Sequence, residues 1–347
     1  MQKTMTIQEV AKLAGVSVAT VSRVMNGSPL VKSKTREKVL SVIDKFEYEP
    51  NLLGRDLRRS ETMKVLVLTP NLDRSIFADI VRGIEARGQE AGYYVLVCPT
   101  SNAMEREQEL FRMVKNRLVD GVIVFSSSLS GEELSALGQR YNIVQCCEVK
   151  EASHTCNVSI DDEKAAYEAT CYLINEGHRS IGLIGGLPEL HSTQLRLSGY
   201  RRALEQYQLP YADERILFGE GHHEDGARLA QALLKLPEPP TAIFCLSDLL
   251  AVGCVNAVRQ LGRSIPEELS VIGFDNTREA TMALPALTTV HQPKYDLGYS
   301  AMDQLIHNMT NTEKRYENVM LAHELLERES TRGGLVKADH PTGSAQG

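Results

Sequence analysis

The chain has 347 residues, 42% of them hydrophobic and 24% charged, with a formal net charge of −7. That length allows two or three domains and a large core, and no apolar run has the length a membrane-spanning helix needs. The opening stretch "MQKTMTIQEVAKLAG" lacks the apolar centre and small-residue cleavage site of a signal peptide, so a cytoplasmic location is expected.

Charge is uneven. Residues 1–62 hold 11 Lys+Arg against 7 Asp+Glu, a net of +4, and the remainder a net of −11. A basic head on an acidic body suggests an anionic partner for the head alone. The seven cysteines (Cys98, Cys146, Cys147, Cys156, Cys171, Cys245 and Cys254) lie in apolar runs without C-x-x-C spacing. They read as buried thiols rather than a disulfide frame or a zinc site, and adjacent Cys146 and Cys147 read as core.

In chain order, Thr6-Ile7-Gln8-Glu9 matches a capping box and opens a first helix with Ile7, Val10, Ala11 and Ala14 on one face. Gly15 ends it. Ser17 can cap a second helix, in which Val21 and Val24 face inward and Val18, Ala19, Ser22 and Arg23 face out. Asn26-Gly27 stops it. Ser33 is expected to cap a third helix with Val39, Val42, Ile43 and Phe46 on its apolar face. Two short helices joined by a tight turn and buttressed by a third predict a helix-turn-helix, whose second helix enters a DNA major groove. Ser17, Ser22 and Asn26 suit phosphates, Arg23 suits a guanine edge, and Val18 and Ala19 suit thymine methyls.

"TIQEVAKLAGVSVATVSRVMNG", followed by "SKTREKVLSVIDKFEYEPN", resembles the head of the lactose/galactose repressor family of bacterial transcriptional regulators, and the likeness continues through "PNLLGRDLRR" at residues 50–59. The resemblance implies a hinge helix there that lies in the minor groove, with Leu57 as an apolar wedge in the central base step. Arg55, Arg58 and Arg59 surround it with phosphate-seeking charge. Gly54 stands where an alanine is usual and costs a helix about 1 kcal/mol. The expected DNA-contacting residues are Thr6, Ser17, Val18, Ala19, Thr20, Ser22, Arg23, Asn26, Asn51, Arg55, Leu57 and Arg58.

From Met63 the pattern changes to short apolar runs alternating with amphipathic stretches: "KVLVLTP", "YYVLVCP", "GVIVFSS" and "NIVQCCE", then "SIGLIGG", "AIFCLS" and "LSVIGFD". Two series of βαβ units predict two α/β lobes with parallel sheets. "TTVHQP" and "ENVMLAHELLERES" are expected as crossovers between them. The resemblance implies the same body, similar to periplasmic sugar-binding proteins. The expected organisation is an all-α helix-turn-helix head over 1–49, a hinge helix and linker over 50–62, a two-lobed effector-binding and dimerisation domain over 63–332, and a disordered tail over 333–347. The tail lacks leucine heptads, so a homodimer is expected.

Ligands bind beyond the carboxyl ends of such strands. The polar groups there are Asn71 and Asp73, with Phe77, then Ser126, Asp161, Ser247, Asp275 and Gln292; Arg196 opens the helix "RLSGYRRAL". One arginine among carboxylates and amides suits a sugar or nucleoside. The resemblance implies Arg196 and Asp275 as holders of effector hydroxyls, while Asp248 reads as an N-cap. "LFGEGHHEDG" departs from the family, placing Gly221 where relatives that bind nucleobases stack a phenylalanine, so an effector held mainly through its hydroxyls is expected.

"GRDLRRSE" and "LPEPPTAIFCLSD" resemble the cytidine repressor group within the family, and a catabolite-control regulator that binds a phosphocarrier protein has the same fold. No nucleophile, base and orienting residue assemble by motif, so no catalytic centre and no cofactor are expected. "HHED" at 222–225 is not expected to hold a metal. The rival class is a free solute-binding protein without regulatory role.

Overall fold

The computed structural model describes residues 5–25, 27–46, 48 and 61–331. The chain divides into two compact units, Met1–Thr62 and Met63–Gly347. Asn26, most of the expected hinge including Asn51, Arg55, Leu57 and Arg58, and the expected tail lie outside the described residues.

In the first unit, α1 (Ile7–Ala14), α2 (Val18–Met25) and α3 (Ser33–Lys45) surround a small core of Val10, Ala11, Ala14, Val21, Val24, Val39 and Tyr48. The Thr6–Glu9 capping box forms in full. Gly15 adopts φ 61°, and the Val16 amide reaches back to the Ala11 carbonyl at 3.0 Å, a Schellman closure that needs a left-handed residue. Two expectations about α3 are corrected. Ser33 is its first helical residue, and the extended residue before it is Lys32, whose carbonyl accepts from the Arg36 amide. Phe46 lies past the helix end and is exposed, because the chain turns there and brings Tyr48 into the core instead.

The second unit holds two six-stranded sheets. The first contains β1 (Lys64–Thr69), β2 (Tyr94–Pro99), β3 (Gly121–Val124), β4 (Asn142–Cys146), β5 (Cys156–Ile160) and β11 (Asn318–Leu321), in the order β11-β5-β4-β3-β1-β2, all parallel. The second contains β6 (Ile181–Gly185), β7 (Ile216–Phe218), β8 (Ala242–Cys245), β9 (Ser270–Asp275), β10 (Thr288–His291) and β12 (Glu324–Leu326), in the order β12-β10-β9-β8-β6-β7; only β12 is antiparallel. The central strands β1, β3, β6, β8 and β9 are covered on both faces, which is why they read as largely apolar runs. Along β1, Val65 and Val67 enter one core while Leu66 and Leu68 enter another.

Helices α4 (Ser75–Glu90) and α12 (Lys294–Thr310) cover one face of the first sheet, and α5 (Met104–Lys115) and α6 (Gly131–Gly138) the other. On the second sheet, α7 (Asp162–Asn175) and α8 (His191–Gln206) cover one face, and α9 (His223–Leu233) and α10 (Asp248–Gln260) the other; a short α11 (Arg278–Met282) packs on α10. The chain passes between lobes after β5, after β10, and between β11 and β12. "TTVHQP" is therefore a strand of the second sheet followed by a crossover, not a crossover throughout, and "ENVMLAHELLERES" supplies one strand to each sheet. Both lobes repeat one doubly wound order, so each has a switch point between its first and third strands, where loops part and leave a crevice.

Candidate functional site

In the head, α2 presents an outer surface whose side chains differ in freedom. Ala19 and Arg23 are exposed; Val18, Thr20 and Ser22 are half-buried, and Val18 packs against the head core rather than standing wholly outside. Ser17 caps α2, with its Oγ accepting from the Thr20 amide at 3.1 Å and lying 2.9 Å from the Thr20 hydroxyl. Thr6 is likewise engaged with Glu9 through its hydroxyl and amide. Arg23 is thus the charged, exposed side chain of this helix, and its position suits direct reading of a base edge.

In the body, a cavity of about 320 Å³ opens between the lobes at both switch points. The ends of β1 and β3 bring Asn71, Arg74, Phe77 and Ser126, the ends of β6 and β8 bring Gly186, Leu246 and Ser247, and the ends of β9 and β10 bring Asp275 and Gln292. Phe77 stacks on Phe125 with ring centres 5.5 Å apart, giving the cavity an apolar wall. Its polar centre is Arg196, in the second turn of α8 rather than at the helix start, which lies at His191. The Arg196 Nε donates to Asp162 at 2.7 Å and an Nη1 to the Leu246 carbonyl at 2.7 Å, while Asp275 stands 3.9 Å away. The guanidinium carbon lies over the Phe274 ring, 3.6 Å from its centre. Gln292 Nε2 donates to Asp275 Oδ1 at 2.7 Å and the Lys294 ammonium to the Asp275 carbonyl at 2.7 Å.

This network holds charge where burial opposes it. Burial works against the Arg196 cation, but Asp162 and Asp275 more than offset it and raise its pKa. Burial pushes both carboxyls up, with Arg196 opposing it at each, and Gln292, Lys294 and Arg74 also opposing it at Asp275. Three residue pairs bridge the cleft: Arg74 Nη2 donates to the Gly221 carbonyl at 2.8 Å, Ser75 Oγ to Glu279 at 2.6 Å, and the Ser192 hydroxyl and amide to Glu148.

Of the expected effector residues, Asn71, Phe77, Ser126, Arg196, Gly221, Ser247, Asp275 and Gln292 line this cavity. Two do not. Asp161 is the N-cap of α7, accepting from the Lys164 amide at 2.9 Å, and its neighbour Asp162 reaches Arg196 instead. Asp73 is exposed beside a small side pocket, and Arg74 turns into the cleft in its place. Asp248 is not the expected N-cap: Ser247 caps α10, and the buried Asp248 carboxylate accepts from the Thr277 amide at 2.6 Å and the Thr289 hydroxyl at 2.6 Å. Cys146 is core, whereas Cys147 is half-buried in the cavity wall. Arg74, Glu148, Asp162 and Ser192 are cavity residues that motif reading misses. A signal was present for Asp162 only, in the doublet "DD" at a helix start, where one carboxylate caps and the next is free to turn inward.

Among the described residues, no group of three His, Cys, Asp or Glu side chains is placed to hold a metal ion, and no helix is long and apolar enough to cross a membrane.

Residues 6–51 match the model described as bacterial regulatory proteins, lacI family, and residues 170–331 the model of a periplasmic binding protein-like domain. Catabolite control protein A of Priestia megaterium is 36% identical over 94% of this chain and 99% of its own. The transcriptional repressor PurR of Vibrio parahaemolyticus is 32% identical over 94% of this chain and 98% of its own. A lac repressor dimer bound to operator and the anti-inducer ONPF aligns at 25% identity and a TM-score of 0.85, over 95% of this chain and 99% of its own. These relatives are regulators rather than enzymes, and a free solute-binding protein would have no use for the head. The chain belongs to the LacI family of DNA-binding transcriptional regulators.

Proposed function

We propose that the chain is a dimeric cytoplasmic repressor that binds a pseudo-palindromic operator through α2, and that a small hydroxylated molecule in the interlobe cavity changes its operator affinity. Arg196 carries this reading: a buried cation bracketed by Asp162 and Asp275, inside a cavity lined by both lobes, is built to meet several hydroxyls at once. Asn71, Phe77, Ser126, Gly221, Ser247 and Gln292 complete the site. A molecule that contacts both lobes binds one lobe arrangement better than another, and only such a difference shifts an equilibrium.

Residues 1–49 then serve DNA binding, 50–62 the hinge, 63–332 effector binding and dimerisation, and 333–347 the tail. Arg23 reads a base, Val18 and Ala19 touch thymine methyls, and Thr6, Ser17, Thr20, Ser22, Asn26, Asn51, Arg55 and Arg58 position the unit on the backbone, with Leu57 as the minor-groove wedge. Genome-wide footprinting followed by operator titration with cytidine, adenosine, ribose and hexoses tests the reading. A palindromic site whose occupancy changes with one compound is the expected result. Binding without sequence preference, or occupancy indifferent to every compound encoded by the neighbouring pathways, would sink it.

A further inference from the structure

Arg74 stands directly before α4, with its guanidinium in the cavity wall. Its Nη2 donates to the Gly221 carbonyl of the opposite lobe. Its Nε is buried and has no partner, and among the described residues no carboxylate pairs with it. A guanidinium has five N–H donors, no acceptor, and a charge that persists at any physiological pH. A half-buried cation that meets only a carbonyl is incompletely compensated.

The other charges deep in the cavity are matched. Arg196 has Asp162 and Asp275, and Glu148 accepts from the Ser192 hydroxyl and amide. Three residues before Arg74, the Asn71 side-chain oxygen is also buried without a partner and calls for a donor. The lobe opposite makes room for the guanidinium: Gly221 holds φ 91°, and a Cβ there would collide with Arg74. The cavity's 320 Å³ is at the small end of ligand sites and has room for a sugar ring with a substituent.

We infer that Arg74 is a specificity-determining residue of the cleft, and that it takes an anionic oxygen group, carboxylate or phosphate, carried by a monosaccharide-sized effector whose neighbouring hydroxyl donates to Asn71. The inference rests on the cleft being the effector site. Guanidinium geometry matches both groups through paired N–H donors, and such charge-assisted bonds are about twice as strong as neutral ones. An acidic effector supplies the close carboxylate or phosphate partner that Arg74 lacks among the described residues, which a neutral sugar does not.

Calorimetry on the full chain with matched probes tests this: glucose, glucuronate and glucose 6-phosphate, then ribose and ribose 5-phosphate. At least one anionic probe is expected to bind about tenfold or more tighter than its neutral parent, as a charge-assisted bond predicts. Which one does so separates a carboxylate ligand from a phosphate ligand. Arg74→Gln is expected to erase that ratio, and Arg74→Lys to keep part of it. The wild-type ratio stands without any variant, so a poorly folded Arg74→Gln leaves the test intact. Neutral sugars or nucleosides binding tighter than every anionic probe would overturn the inference and leave the effector reading standing. No binding by any anionic probe overturns it as well, and if cytidine, adenosine and the neutral sugars also fail, the effector reading falls with it.

Discussion

The head keeps its candidate base contacts, Val18, Ala19 and Arg23, on one helix of eight residues, with Ala19 and Arg23 exposed and the helix start fixed by the Ser17 cap. The cleft gathers its contacts from loops of two lobes, and its central groups, Arg196, Asp162 and Asp275, are buried against one another. An exposed side chain can be removed at little cost to the fold, whereas a buried charge with a partner cannot. Binding and stability are therefore separable in the head and joined in the cleft.

The strongest attempt to break that contrast is Arg196→Ala. It strands the buried Asp162 carboxyl and the Leu246 carbonyl and removes the cation beside Asp275, and a broken buried pair costs about 3–5 kcal/mol. A matching fall in denaturation midpoint, together with loss of any effector response, is expected. A stable variant that merely fails to bind effector would show that stability and binding separate here too.

A pH titration probes the same coupling through Asp248. Burial, aided by the nearby Asp275 charge, raises its carboxyl from an ordinary 3.8 to about 7. The folded state therefore holds this proton more tightly than the unfolded chain. The stabilisation is complete below pH 3.8, fades as pH climbs to about 7, and is gone above that. Each pH unit inside the window costs at most about 1.4 kcal/mol. Asp248→Asn keeps an oxygen for the Thr277 amide and offers an N–H to the Thr289 hydroxyl, without a titrating group. Unfolding followed from pH 4 to 8 should show a flatter profile in the variant; identical slopes would place the titration elsewhere.

The contrast also explains what could be read from the amino-acid order. The head's caps and helical faces depend on residues three and four apart, so Thr6, Gly15, Ser17, Val21 and Val24 declare themselves, and the errors fall at α3, where Tyr48 replaces Phe46 after a turn. Strands covered on both faces announce themselves as apolar runs. β5, with Asn157 and Ser159 in its five residues, and β7, only Ile216–Phe218, do not. At the cleft, the residue types were legible but not which neighbour turns inward. Asp161 against Asp162, and Asp73 against Arg74, are one-residue choices settled by where a helix starts and what the other lobe presents. Arg74 gave no sequence signal because its partner, the Gly221 carbonyl, is on the opposite lobe.

In the head, Arg23→Ala should leave unfolding unchanged while weakening operator binding by about 1–3 kcal/mol, with preference relaxed at one base pair per half-site. Binding measured against a set of single-base operator variants checks it. A uniform loss across the set would make Arg23 a phosphate contact and move it out of direct readout.

The smallest expected effect belongs to Ser17, where the two kinds of role meet in one residue. Its Oγ satisfies the Thr20 amide, one of the donors a helix start leaves open, and its hydroxyl is shared with Thr20. Replacing a serine N-cap with alanine costs about 1 kcal/mol, equivalent to about a fivefold change in a local opening equilibrium. Ser17→Ala should therefore speed amide hydrogen exchange at the start of α2 by about that factor in the DNA-free protein, while the α1 amides keep their rates. A Ser17 that served only a phosphate would leave exchange untouched and lower operator affinity alone. If both change, full-length operator titrations of Ser17→Asn separate them: asparagine restores the cap, so affinity that returns with protection marks the capping role as the source of the binding loss.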